Sequence, residues 1–254
     1  MIIDTHVHIG PWEYPPFYKI ASSLEETIKL YKKWGISGAV ITRSDSLSNE
    51  KLLKTIKRQQ DRKFKIWFFP WVNSNRDLSF LQKEKKFITG IKIHPSFSKK
   101  PITDKSFKKI LKFASSERIP ILVHSGRWIE VAGYQYILKC ASLWPTVNFI
   151  VAHAGGANTT LKMELIKEIK KKKFNNIYLE ISGMFEYWIL ERGLKLIPKS
   201  KFFFGSDFPT IDPRIIIAVI KYSNINTKIK RDILANNFLK FIKRYNGNHY
   251  KFKK

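Results

Sequence analysis

The stretch Met1-Ile2-Ile3-Asp4-Thr5-His6-Val7-His8-Ile9-Gly10 decides how the remainder of the chain is read. Ile2, Ile3, Val7 and Ile9 are β-branched and suit a buried strand, which Gly10-Pro11 ends. Side chains two apart on a strand point to the same side. The spacing therefore predicts Asp4, His6 and His8 on one face, with two imidazoles on adjacent rungs able to grip one ion. Two histidines can equally be satisfied in a polar core, so the meaning of the pair depends on what the other strands bring.

Working outward, the same unit recurs. β-Branched and aromatic runs predict strands at 37–42, 64–71, 90–94, 119–124, 147–153, 177–181 and 201–207. Amphipathic stretches between them predict helices near 23–34, 48–60, 78–86, 104–116, 134–143, 160–172 and 186–196, with two more at 213–222 and 228–245. Several strands are continuous apolar runs, as expected where both faces are covered. Eight strand–helix units in about 250 residues point to an α/β chain folded as a single (β/α)8 TIM barrel. An open doubly wound sheet is disfavoured because the first turn lacks Gly-x-Gly-x-x-Gly. The barrel is expected over residues 1–245, with 246–254 as a basic C-terminal tail.

Composition narrows the class. The 254 residues are 44% hydrophobic, enough for a substantial core. No apolar run approaches the roughly 20 residues of a membrane span, and the chain enters its first strand without a leader-like segment. The lone Cys140 excludes an internal disulfide and a cysteine-rich metal site. These features predict a cytoplasmic protein without membrane partners. The net charge of +27 invites a polyanionic partner. No basic helix with interleaved aromatics stands out, however. Lys170 to Lys173 and the tail residues Lys251, Lys253 and Lys254 read as solvated coats, so no nucleic-acid partner is expected.

Five of the six histidines, all but His249, fall at the C-terminal ends of predicted strands: His6, His8, His94, His124 and His153. Asp207 ends the last strand. In a barrel those ends converge on one mouth, where active sites sit. Imidazoles with one carboxylate suit a divalent ion, zinc first, with manganese or iron as alternatives. Such an ion makes water more acidic, and a spare histidine or aspartate can carry its proton. Ser206 lacks a Gly-x-Ser-x-Gly setting, so no serine nucleophile competes.

With these residues in hand, the chain resembles the amidohydrolase superfamily. Within it, the likeness is to the amidohydrolase-2 branch, which includes aminocarboxymuconate-semialdehyde decarboxylase-like and pyrone-dicarboxylate lactonase-like enzymes. The matching segments are Ile3-Asp4-Thr5-His6-Val7-His8, Gly90-Ile91-Lys92-Ile93-His94-Pro95, Ile121-Leu122-Val123-His124-Ser125-Gly126, Ala152-His153-Ala154-Gly155-Gly156 and Phe204-Gly205-Ser206-Asp207-Phe208-Pro209. The resemblance implies that His6, His8, His124 and Asp207 bind one metal ion. It also implies that His153 is the general acid/base and that Asp207 shuttles a proton as well. Spacing alone does not separate His124 from His153 as ligand.

Lys92 and His94 share a face of strand four. A carboxylated lysine bridges two metals in binuclear members of the superfamily. In the resembled branch one metal is usual, and both residues would then contact substrate. Arg127 could hold a carboxylate bidentately, with Trp128 beside it, while Trp12, Tyr14, Phe17, Phe185 and Trp188 could line an apolar pocket. The expected activity is metal-dependent hydrolysis of a small, carboxylated molecule. The alternative at the same site is non-oxidative decarboxylation of an unsaturated or aromatic carboxylate. A deoxyribonuclease-like protein is the rival of another class. Against it, that branch carries a glutamate on strand four and a Glu-Thr-Asp-like end to strand eight. A homodimer is left open.

Overall fold

In the computed structural model, residues 1–16, 19–59, 61, 63–156 and 158–245 are described. Phe17, Gln60, His249 and the basic tail lie outside them. The apolar runs form strands where expected: β1 (Ile3–Pro11), β2 (Ala21–Ser22), β3 (Gly38–Arg43), β4 (Lys65–Phe68), β5 (Trp71–Val72), β6 (Ile91–Ile93), β7 (Ile121–Val123), β8 (Phe149–Val151), β9 (Ile177–Glu180) and β10 (Phe202–Phe203). The short β2 is an addition, and it pairs antiparallel with β1. Every other strand pairing is parallel. The predicted third strand is divided into β4 and β5 around Pro70, which has no N–H to give a ladder.

The strands lie in two sheets, ordered β2-β1-β3-β4 and β10-β9-β8-β7-β6-β5. Backbone hydrogen bonds cross between them at two seams. At one, Thr89 N donates to Phe68 O (3.0 Å) and Lys92 N to Pro70 O (2.9 Å). At the other, Thr5 N donates to Phe204 O (3.0 Å), Asp207 N to His6 O (2.9 Å) and His8 N to Phe208 O (2.8 Å). This second seam brings Asp207, from the end of the chain, beside the opening His-x-His.

Helices cover the outer faces, and side-chain caps start several of them. Ser23 accepts from Glu26 N ahead of Leu24–Lys33, and Ser48 from Lys51 N ahead of Asn49–Arg58. A separate apolar layer lies between the strands. Ile3, Val40, Trp67, Leu122, Ile150 and Phe203 pack with Phe238, Phe241 and Ile242 of helix Asn237–Tyr245. Each of those strand residues precedes the histidine or aspartate of its own strand where it has one. The last helix therefore floors the end opposite the histidines. Its other face carries exposed Lys240, Lys243 and Arg244. Lys170 to Lys173 are exposed in the same way. Among the described residues no helix is long and apolar enough to cross a membrane.

One expectation about β1 is corrected. The register against β3 shifts between Asp4 and Val7, and such an irregularity re-phases the two-residue alternation. The fully buried Asp4 turns away from the imidazoles, accepting from Tyr31 Oη (2.8 Å) on helix Leu24–Lys33. It also accepts from Ser206 N (3.0 Å), Ser206 Oγ (2.5 Å) and His6 N (3.1 Å). Asp4 thus ties the first strand to the segment bearing Asp207.

Candidate active site

His6 and His8 keep the shared face, and their ring nitrogens are sorted by partners. His8 Nδ1 lies 2.8 Å from Arg43 O, and His6 Nδ1 lies 2.8 Å from Glu180 Oε2. A backbone carbonyl can only accept, so His8 carries its hydrogen on Nδ1 and its lone pair on Nε2. His8 Nε2 and His6 Nε2 stand 3.2 Å apart, and Asp207 Oδ1 is 3.3 Å from the first ring's Nε2 and 3.4 Å from the second's. A tetrahedral shell with ligand bonds of about 2.0–2.1 Å has edges of about 3.3–3.4 Å. Three donor atoms therefore already stand at the spacing of one face of a metal shell. A cation is already placed against one of them: Lys92 Nζ is 2.7 Å from His6 Nε2.

The other histidines are adjacent. One donor atom each of His6, His153 and Asp207 lie within 4.8 Å of one another. His153 Nε2 is 3.1 Å from His124 Nδ1, while its Nδ1 is 2.8 Å from Ser182 Oγ. His124 Nε2 is buried and has no hydrogen-bond partner among the described residues. His94 does not join the donors. Its ring is stacked between His124 (centroids 3.7 Å) and Trp71 (5.1 Å).

Burial sets the electrostatics. It pushes His6, His94 and His124 well below the ordinary histidine range, with neighbouring positive groups adding to it. It also takes His153 down to about 4, despite the pull of Asp207. All four are neutral rings at pH 7, the form that binds metals and accepts protons. For Asp207, burial works upward. The nearby Lys92 ammonium works the other way, and the carboxylate stays below the usual range. Burial pushes Lys92 down and Glu180 up, while the Glu180 charge favours the Lys92 ammonium and the two Ser182 hydrogen bonds favour the Glu180 carboxylate.

Two site residues escape the sequence reading: Glu180, fully buried at the end of β9, and Ser182 just beyond it. The available signal was an acid ending an apolar strand, as Asp207 does. Gly205 explains part of the last motif, because a Cβ there would stand 2.3 Å from Glu180 Oε1. His153 (φ 57°) and Asp207 (φ 63°) adopt left-handed backbone. That conformation costs non-glycine residues about 1–3 kcal/mol and gathers at functional sites.

Around the rim, Trp12 contacts His8 (4.9 Å between centroids), and Tyr14 approaches Phe97 and Trp128 (6.0 Å each). A pocket of about 500 Å³ opens between Tyr14, Phe97 and Trp128. Arg127 is exposed and lies over the Trp128 ring, 5.3 Å from its centroid. Phe185 is exposed, whereas Trp188 packs on the outer core beneath Arg192.

Comparison with known proteins gives this arrangement its context. The family model described as Amidohydrolase matches residues 3–243. The chain belongs to the amidohydrolase family. No curated protein matches this amidohydrolase in sequence. Among solved structures, a probable 2-pyrone-4,6-dicarboxylic acid hydrolase from Acinetobacter baumannii superposes with a TM-score of 0.69 at 15% identity, covering 95% of this chain and 98% of that one. An uncharacterised TIM-barrel protein from Bordetella bronchiseptica gives 0.78 at 15% identity, covering 96% and 99%. A dihydroxybenzoic acid decarboxylase from Polaromonas, with bound manganese and 2-nitroresorcinol, gives 0.73 at 13% identity, covering 99% of each. At such identities the likeness is one of fold. The family neighbours include both a hydrolase and decarboxylases.

Proposed function

We propose that this amidohydrolase is a cytoplasmic, metal-dependent hydrolase of a small, carboxylated molecule, working at the C-terminal mouth of one closed (β/α)8 barrel. The closure is supported by the backbone hydrogen bonds across both seams, including Asp207 N to His6 O at 2.9 Å. The observation that carries the functional reading is the triangle of His6 Nε2, His8 Nε2 and Asp207 Oδ1, with edges of 3.2–3.4 Å.

His6, His8, Asp207 and His124 would hold one divalent ion, zinc first and manganese or iron as alternatives. When bound, the ion supplies Lewis acidity, polarising a substrate carbonyl and making water a stronger acid. His153, neutral and held between Ser182 and His124, takes the proton released during attack and returns it to the leaving group. Asp207 has a second oxygen with which to assist that transfer. Lys92, buried and adjacent to the donors, supplies positive charge where a substrate oxyanion develops. His94, Arg127 and Trp128 complete the substrate contacts, with Arg127 reaching a carboxylate from the rim.

Decarboxylation uses the same donors and is the second reading, favoured by the decarboxylases among the structural neighbours. The test is an assay of zinc- and manganese-loaded protein on lactones, amides and aromatic carboxylates in isotopically labelled water. Label entering the product without CO2 release is expected. CO2 without hydrolysed product would overturn the hydrolase reading, and metal-dependent nicking of DNA would move the protein to another class.

A further inference from the structure

The Glu180 carboxylate is completely buried and crowded with donors. Its Oε2 receives His6 Nδ1 (2.8 Å) and Ser182 Oγ (2.7 Å), with His153 N more distant at 3.4 Å, and its Oε1 receives Ser182 N. We infer that Glu180, acting directly on His6 and through Ser182 on His153, is the positioning residue that sets the tautomers of both the metal-holding and the proton-moving imidazole. The tautomers follow from hydrogen-bond direction alone. What those rings then do rests on the proposed function.

A serine hydroxyl has one hydrogen, and Ser182 spends it on Glu180 Oε2. Toward His153 Nδ1, at 2.8 Å, the same oxygen can only accept. His153 therefore carries its hydrogen on Nδ1 and its lone pair on Nε2. That lone pair faces His124 Nδ1 at 3.1 Å, which must then be the donor. The lone pair of His124 is left on Nε2, the buried atom without a partner among the described residues. On the other side, His6 gives its Nδ1–H to the same carboxylate and keeps its own lone pair on Nε2. One acid thus fixes which nitrogen carries the hydrogen on three rings, directly or in relay. Its Oε1 is seated where a side chain on Gly205 would otherwise be. An aspartate, one methylene shorter, would not span from β9 to His6 and Ser182 together.

The test is nitrogen NMR of the zinc-loaded protein made with isotope-labelled histidine, the His153 signals being identified by their loss in His153→Gln. A protonated Nδ1 and an unprotonated Nε2 are expected for His153 in the unaltered chain. Ser182→Ala should move His153 toward the Nε2–H tautomer while leaving His6 unchanged. Ser182→Thr, which keeps the hydroxyl, should restore the original pattern. Glu180→Gln should disturb His6 and His153 together and weaken zinc binding by about 10–100-fold, the usual effect of losing a partner behind a ligand. Ser182→Ala should instead retain zinc and lose turnover by a similar factor. A hydrogen on His153 Nε2 in the unaltered protein would overturn the inference, as would a Ser182→Ala spectrum identical to the original. Should Ser182→Ala or Glu180→Gln fail to fold, the unaltered spectrum and Ser182→Thr still decide. Tautomers as expected in a protein that hydrolyses no compound tested would support the inference while removing the proposed hydrolase activity.

Discussion

Alanine at His124 and alanine at His153 should separate holding the ion from moving the proton, although the two rings touch. Three donor atoms already stand 3.2–3.4 Å apart, and a tetrahedral shell takes a fourth protein ligand or leaves that place to water and substrate. His124 Nε2, neutral and buried without a partner among the described residues, is the proposed fourth donor. Loss of a group behind a ligand costs about 10–100-fold in metal affinity, so loss of the ligand itself should cost at least about 100-fold, or ~2.7 kcal/mol. With zinc at 100 times its dissociation constant, the bound ion stabilises the unaltered protein by about 2.7 kcal/mol. In His124→Ala the same zinc would contribute only about 0.4 kcal/mol. The difference of ~2.3 kcal/mol is about 5–9 °C of zinc-induced Tm rise in a domain of this size. His153→Ala should keep that rise and its zinc content, and lose about 10²–10⁴-fold in turnover. Thermal scans with and without zinc, beside elemental analysis, need no substrate. If His153→Ala purifies metal-free while His124→Ala keeps its ion, the two roles are interchanged.

Phe238→Ala removes a ring packed on Trp67 and Phe203 in the apolar layer under the last helix and should cost about 3–5 kcal/mol. The urea midpoint should fall with zinc affinity unchanged, and a matching loss of zinc affinity would contradict the separation of floor from site. Lys201 donates to Asn175 O and lies over Tyr178, with burial taking its pKa from 10.5 down to about 8. Between those values the unfolded chain binds the extra proton, so this group makes stability rise as pH goes from about 8 to about 10.5. The full shift would be worth about 3 kcal/mol, and residual solvent screening reduces it to about 1–2. Urea unfolding at both ends of that window should show the unaltered protein gaining this amount on Lys201→Met, and parallel curves would refute it.

Local periodicity sufficed for the strands. The apolar runs at 37–42, 90–94, 119–124 and 177–181 appear as β3, β6, β7 and β9, each end within two residues of its expected place. Because those strands are parallel, His6, His8, His124, His153 and Asp207 had to gather at one end. Chain order and a two-residue repeat determine that much by themselves. Alternation failed at Asp4, because the register shift in β1 exists only against β3. Proline's missing N–H, by contrast, was a local cue to the break between β4 and β5.

The working details of the site were decided by tertiary structure alone. Glu180 meets His6 across 174 residues, and Asp4 meets Ser206 across 202. Which nitrogen of a histidine is free depends on which distant acceptor its other nitrogen finds, and no spacing along the chain records that. His94 illustrates the same limit. Its position at the end of a strand predicted it near the site, but only the folded chain shows its ring stacked on Trp71 and His124. A strand's sequence determines which residues reach the mouth. Their hydrogen-bond partners, and so their protonation and aim, come from other strands and exist only once the two sheets have come together.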